Sequence, residues 1–346
     1  MSIVMSSSQF GDPDRAAISL AWQTGNAINP VESRMRRDLA AVAAAAHGAV
    51  LTLSPPLRDA AAHHFNWPTV GTDASPQHLC LPGKLMRARL CLLSAALVGG
   101  RRAAAVPHAA SVELTHNFTL VFDDFMDKDA VRRGRPAVWA RFGPSAAMLL
   151  GVELYAVAIE LLAQCGGTAS VRRLVDAGHS LSGGQLEDLD MASATELAPP
   201  NTRRWTAMAE AKTGALFGCA MALGGIAGGA DAAMVSKLDR AGRCVGVAFQ
   251  IVDDLLRAWG DELQLGKPVV RMATGNLYPP LAALLTHPDT HPSGEQPGIG
   301  AAMAAVRPSV DDMLGKALSL LTDVCVNHEA ITELASLVMD SVSRIR

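Results

Sequence analysis

The chain has 346 residues, a formal net charge of −3, 49% hydrophobic residues and only 4% aromatic residues. That length allows one to three domains and a large core, built here from Ala, Leu and Val, of which Ala and Leu favour helix. The near-neutral charge, with no long basic run and no basic patch interleaved with aromatics, argues against a nucleic-acid partner.

From the N-terminus, MSIVMSSSQFGDPDR lacks the basic region and long apolar stretch of a signal peptide, and residues 1–25 are expected to be poorly ordered. VESRMRRDLAAVAAAAHG reads as a helix stopped by Gly48, and RARLCLLSAALVGG ends the same way. SVELTHNFTLVFDDFMDKDA reads as a long helix with acids at its C-terminal end. AAMLLGVELYAVAIELLAQCGG is a further helix closed by Gly166 and Gly167. ALFGCAMALGGIAGG and RCVGVAFQIVDDLLRAWGD follow, and EAITELASLVMDSVSRIR is the last strong helix. Breaks fall at Pro55-Pro56, at RRGRP (132–136), at Pro199-Pro200 and in an exposed loop at 287–300. Strand signals are nearly absent. No linker divides the chain, so residues 26–346 are expected to form one all-α domain.

The uncharged run from Gly214 to Gly229 is shorter than the ~20 residues a membrane span needs. It is expected to be a tightly packed internal helix whose small residues admit a neighbour, and no stable membrane insertion follows. The six cysteines include no Cys-x-x-Cys pair, which points to a reduced, cytoplasmic protein without a disulfide framework.

Two acidic clusters interrupt apolar runs. The first, DDFMD, holds Asp123, Asp124 and Asp127; the second, FQIVDDLLRAWGD, holds Asp253, Asp254 and Asp261. A carboxylate in such surroundings costs several kcal/mol to desolvate unless a counter-charge is present. On a helix, Asp123 and Asp127 share a face and Asp124 lies about 100° around. Paired hard oxygens suit Mg²⁺, which keeps waters and completes its shell from a phosphate. Arginines are the preferred grip for phosphate oxygens, and Arg132, Arg133 and Arg135 follow the first cluster directly. Acids and arginines together describe a diphosphate site. Lys84 and Arg87, if helical, face one way. Lys212-Thr213-Gly214 opens the Gly/Ala run, Gln185 and Gln250 lie beside apolar runs, and Lys267 follows Gly266.

In this order, DDxxD, RRGxP, KTG, FQxxDD and GDxxxxGK resemble the trans-isoprenyl diphosphate synthase family, of the farnesyl/geranylgeranyl diphosphate synthase type. The resemblance runs from about Lys84 to Leu284 and is nearest to actinobacterial polyprenyl synthetases around Asp253 and Lys267. It implies an isoprenoid synthase helical bundle around a central cavity, a homodimer, and a prenyltransferase that condenses isopentenyl diphosphate with C5 to C15 allylic diphosphates. It implies three Mg²⁺ ions, held by Asp123, Asp127 and Asp253, with Asp254 in support and Asp124 among the catalytic residues. Arg132, Lys212 and Lys267 are implied on the allylic diphosphate. Lys84, Arg87, His116 and Arg133 are implied on isopentenyl diphosphate, with Thr213 and Gln250 near the reacting carbons. Phe118, five residues before Asp123 and followed by the smaller Thr119, marks the wall a growing chain must pass, which implies geranylgeranyl diphosphate as product.

The chain departs from the family pattern on the diphosphate side. The last acid of the second DDxxD is Arg257, the arginine expected after Lys84 is Leu85, and Asn276 stands near a missing lysine. Farnesyl diphosphate synthesis, or a weakened subunit of a heteromeric synthase, are the alternative readings. A terpene cyclase fits less well, because FQIVDD replaces the metal triad that reading needs.

Overall fold

The computed structural model describes residues 29–68, 80–165, 167–193, 201–259, 277–286 and 298–342. Helix α1, Asn29–Val50, buries Val42, Ala43, Ala46 and Val50, spaced three and four apart on one face. It runs through the expected stop at Gly48. That glycine sits on the exposed side of the helix and is not among the glycines of positive φ that end helices.

Pro55 and Pro56 occupy the first turn of α2, Pro55–Phe65, where a missing N–H costs nothing, and Asn66 closes the helix at φ 57°. Helix α3, Met86–Leu97, is buried almost throughout. Gly83 (φ 101°) and Leu85 (φ 50°) turn the chain just before it, so Lys84 lies outside the helix. The expected helical pairing of Lys84 with Arg87 is therefore corrected: the two stand on either side of a left-handed turn.

Helix α4, Val106–Met126, follows a short 3-10 turn. RRGRP then forms a minimal antiparallel hairpin, β1 (Val131–Arg132) against β2 (Arg135–Pro136), with Arg132 opposite Arg135. The expected all-α class holds, and this hairpin is the one sheet among the described residues. Arg133 (φ 52°) and Gly134 (φ 72°) are both left-handed, as the favoured two-residue hairpin turn requires.

Helices α5 (Val138–Phe142), α6 (Pro144–Cys165) and α7 (Gly167–Ser193) continue the bundle. Helix α8 (Thr202–Ala209) is capped by Asn201, whose side chain accepts from the Arg204 N–H at 3.0 Å. A π-helical turn, Glu210–Gly214, leads into α9 (Ala215–Ala227). Helix α10 (Ala232–Trp259) carries the second acidic cluster. Helices α11 (Pro279–Thr286), α12 (Ile299–Thr322) and α13 (His328–Val342) complete the described chain. Helix α12 begins inside the stretch expected to be a loop and keeps Pro308 in its interior; 287–297 and Pro199-Pro200 lie outside the described residues.

Helix α4 packs most extensively on α6, α9 on α10 and α3, and α10 on α12. The uncharged α9 is the buried centre, as its small residues foretell. A Cβ on Gly224 would run into the carbonyl of Cys91, so α3 and α9 meet backbone to backbone. Among the described residues, only α6 is long and apolar enough to cross a membrane. Its buried residues, from Ala147 through Leu150, Leu154, Ala158 and Leu162, recur at helical spacing, and the opposite face exposes Met148, Leu149 and Val152.

Candidate active site

The first carboxylate cluster closes α4. The Asp127 N–H still donates to the Asp123 carbonyl at 2.8 Å, so the helical register holds and the two residues are one turn apart. Burial pushes the Asp123 carboxyl up to about 6; Asp127 and Asp124 push the same way, while Lys212 and Arg132 pull it back.

Asp124 does something else. It is buried, and both its oxygens accept from Arg132 Nε at 2.7 Å, with a further 2.6 Å contact from a terminal nitrogen to Oδ1. The hairpin that carries Arg132 is also tied to α2. Arg135 donates to the His63 carbonyl at 3.1 Å and to the side chain of Asn66, and His63 Nε2 donates to the Pro136 carbonyl at 2.8 Å. His63 and His64 line a pocket with Arg132, Arg133 and Arg135, and nothing in the motif order singles them out.

The second cluster ends α10. Asp254 is buried with a full set of donors: Gln250 Nε2 at 2.9 Å, the Tyr278 N–H at 2.8 Å and Trp205 Nε1 at 3.2 Å. Burial pushes its pKa up to about 7. Gln250 in turn accepts from the Thr213 hydroxyl at 2.6 Å, so Thr213, Gln250 and Asp254 form one chain of hydrogen bonds. Asp253 stays half-exposed and pairs with Arg257 at 3.0 Å.

The π-helical turn presents Lys212 toward α7 and α4. Its ammonium is paired with the largely buried Asp188 of α7, while its charge is felt at Asp123. Gly184 of α7 permits this, because a Cβ there would collide with the Lys212 backbone nitrogen. Asp188 is a residue that motif reading passed over; its position three after Gln185 is the one available signal. The Gln185 side-chain N–H₂ is buried without a hydrogen-bond acceptor among the described residues.

A basic subsite lies beside α3. The Arg87 guanidinium stacks over the Phe217 ring with 4.6 Å to its centroid. Burial lowers its pKa to about 10, and Glu113 and Asp253 oppose that fall. Glu113, buried on α4, accepts from the Ala88 N–H at 2.9 Å and so caps α3, whose own N-cap Leu85 has no side-chain acceptor. Burial, then Arg87, Arg133 and Arg132, hold His116 well below its ordinary pKa, so the ring is neutral at pH 7. Arg133 reaches back to the turn, 3.6 Å from where a Gly83 Cβ would lie. Arg87, His116 and Arg133 therefore come together; Lys84 stands exposed in the turn beside them. Asp261, Lys267 and Asn276 lie outside the described residues.

Phe118 packs between two rings: Phe122 edge-on at 4.9 Å and Tyr155 of α6 at 5.3 Å. The single aromatic expected at this wall is part of a cluster of three.

Among the described residues, no group of three or more His, Cys, Asp or Glu could hold a metal by itself. The donor set nevertheless fits Mg²⁺. Asp123 and Asp127 supply hard oxygens one turn apart, and an ion with few protein ligands takes the rest from water and phosphate.

With this geometry in view, similarity to known proteins is decisive. The profile of the polyprenyl synthetase family matches residues 72–280. The chain belongs to that family. It is 40% identical over 227 residues to a geranylgeranyl diphosphate synthase of Mycobacterium tuberculosis, covering 64% of this chain and 63% of that one. It is 37% identical over 220 residues to a (2E,6E)-farnesyl diphosphate synthase of Mycobacterium bovis, covering 63% and 60%. The matches thus span a little under two thirds of these relatives' length. Among solved structures, a polyprenyl synthetase from Streptomyces coelicolor A3(2) has TM-score 0.67 and 29% identity, covering 89% of this chain and 98% of its own. A geranylgeranyl pyrophosphate synthetase from Pyrococcus horikoshii has TM-score 0.68 and 28% identity, covering 90% and 97%. The all-α isoprenoid synthase fold read from the motifs is the fold of the polyprenyl synthetases.

Proposed function

We propose that the protein is a Mg²⁺-dependent prenyltransferase that condenses isopentenyl diphosphate with C5 to C15 allylic diphosphates and stops at geranylgeranyl diphosphate. One arrangement carries this reading: beside the first carboxylate cluster stand two cations already fixed by buried acids, Arg132 by Asp124 and Lys212 by Asp188. Asp123, Asp127 and Asp253 would hold the ions, which neutralise the leaving diphosphate and lower the barrier to C–O cleavage. Lys212, Arg132 and Lys267 donate to the same diphosphate. The first two are pre-positioned, so little reorganisation accompanies charge development. Lys84, Arg87, His116 and Arg133 hold isopentenyl diphosphate, with neutral His116 donating a hydrogen bond. Thr213 and Gln250, fixed to each other, line the site near the reacting carbons. The proton lost after condensation goes to the departed diphosphate, so no side-chain base is needed. Phe118, backed by Phe122 and Tyr155, forms the floor that ends elongation. Residues 26–346 form the synthase domain, working as a cytoplasmic homodimer without membrane insertion or nucleic acid.

The test is incubation of purified protein with Mg²⁺, labelled isopentenyl diphosphate and each of the C5, C10 and C15 allylic diphosphates, followed by chromatography of the dephosphorylated alcohols. A C20 alcohol is the expected product. A C15 product keeps the chemistry and removes the Phe118 argument. No elongation favours a second reading, a weakened subunit of a heteromeric synthase, which the Arg257–Asp253 pair motivates.

A further inference from the structure

Arg257 stands where the family pattern has an acid. Its guanidinium meets Asp253 one turn earlier at 3.0 Å, and the two side chains are only 25% and 31% exposed. Asp254 is committed to Gln250, Trp205 and Tyr278. Asp253 is thus the carboxylate of this pair left to meet an ion, and Arg257 already occupies one of its oxygens. Exchanging an acid for an arginine raises the local charge by about two units, the charge of one divalent ion. A guanidinium also offers several N–H donors in a fixed fork, suited to phosphate oxygens as well as to carboxylate.

Building on the diphosphate-site reading above, we infer that Arg257 is a built-in cation that replaces one divalent ion. The protein then assembles its diphosphate complex with one Mg²⁺ fewer than the same site lacking the arginine. This narrows the reading above at one point: Arg257 takes the place of the ion assigned there to Asp253, and the ions that remain gather at Asp123 and Asp127.

The experiment counts ions rather than turnover. Mn²⁺ substitutes for Mg²⁺, inorganic diphosphate is the anion, and bound Mn²⁺ per chain is read by electron paramagnetic resonance at saturating diphosphate. Arg257→Gln and Arg257→Asp are expected to bind one more Mn²⁺ than the wild type. Arg257→Lys keeps the charge and is expected to keep the wild-type count. The dependence of diphosphate affinity on Mn²⁺ concentration should steepen by one power in the Gln and Asp variants. Melting by circular dichroism identifies variants that fold, and the near-isosteric Gln variant carries the test if the Asp variant does not. Equal counts in wild type, Gln and Asp variants would overturn the inference. So would loss of diphosphate binding in the Gln variant with no ion gained, because Arg257 would then be a phosphate ligand alone. Absence of Mn²⁺-dependent diphosphate binding in the wild type would instead overturn the diphosphate-site reading itself.

Discussion

At the scale of single residues, the site is a set of charges whose partners are chosen in advance. Asp124 is 2% exposed and Arg132 is 22% exposed, and breaking such a pair leaves a charge with poor solvation. Asp124→Asn is expected to cost roughly 2–3 kcal/mol of stability, discounted for the arginine's exposure, and to lower kcat/KM because Arg132 is no longer held. Urea midpoints and steady-state kinetics check the two parts separately. Phe118→Ala opens the space in front of Tyr155 and should lengthen the product beyond C20; an unchanged alcohol profile removes Phe118 as the floor. Titration gives a further test. Asp254 has a folded pKa near 7, above the unfolded value, so the folded state holds its proton more tightly. Its contribution to stability therefore falls as pH rises from about 4 to 7. Buried histidines such as His64 and His116 run the other way, since their folded pKa values are lowered and stability rises with pH as they lose protons. The difference between wild type and Asp254→Asn isolates the aspartate, and that difference should shrink with rising pH in chelator-treated protein. The two acidic clusters were legible because acids inside apolar runs demand a reason. Asp188, Glu113 and His64 were not, because each is defined by a partner far away in sequence: Lys212, Ala88 and Asn117.

At the scale of elements, the helices with wide apolar faces and glycine ends were readable, and the exceptions have physical causes. Helix α7 buries Ser170, Leu174, Ala177, Leu181, Gly184, Asp188 and Met191 at alternating spacings of four and three. That is a regular face, but its small and polar members hide it from a hydrophobic pattern. The hairpin was invisible because its left-handed turn is Arg133-Gly134 rather than Asn-Gly. The stop expected at Gly48 failed because a glycine with no left-handed turn is only a weak helix residue. Close packing supplies the prediction at this scale. Gly224→Ala forces a methyl against the Cys91 carbonyl and should cost about 1–3 kcal/mol as α3 and α9 move apart. A denaturation midpoint equal to wild type would show that the two helices slide without loss.

At the scale of the whole molecule, α6 faces two ways. Its inner side packs on α4, while Met148, Leu149 and Val152 stand 50–58% exposed on the other. If the protein pairs as the homodimer proposed above, this apolar side of α6 is where a second copy would cover it. Leu149→Asp together with Val152→Asp should convert the expected homodimer to a species near the 36.2 kDa chain mass in sedimentation, and a wild type that already sediments as monomer removes the dimer. Helix α9 has a different consequence. It touches α3 and α10 through glycine-lined approaches of backbone on backbone, and α4 and α7 also rest against it. Side chains repack and swell; peptide groups in contact have almost no slack. The spacing of α9 from α3 on one side and from α10 on the other is thus ground into the main chain itself. A descendant of this chain that must reshape its interior is left to trade side chains elsewhere, because the spacing of these three helices cannot be reset.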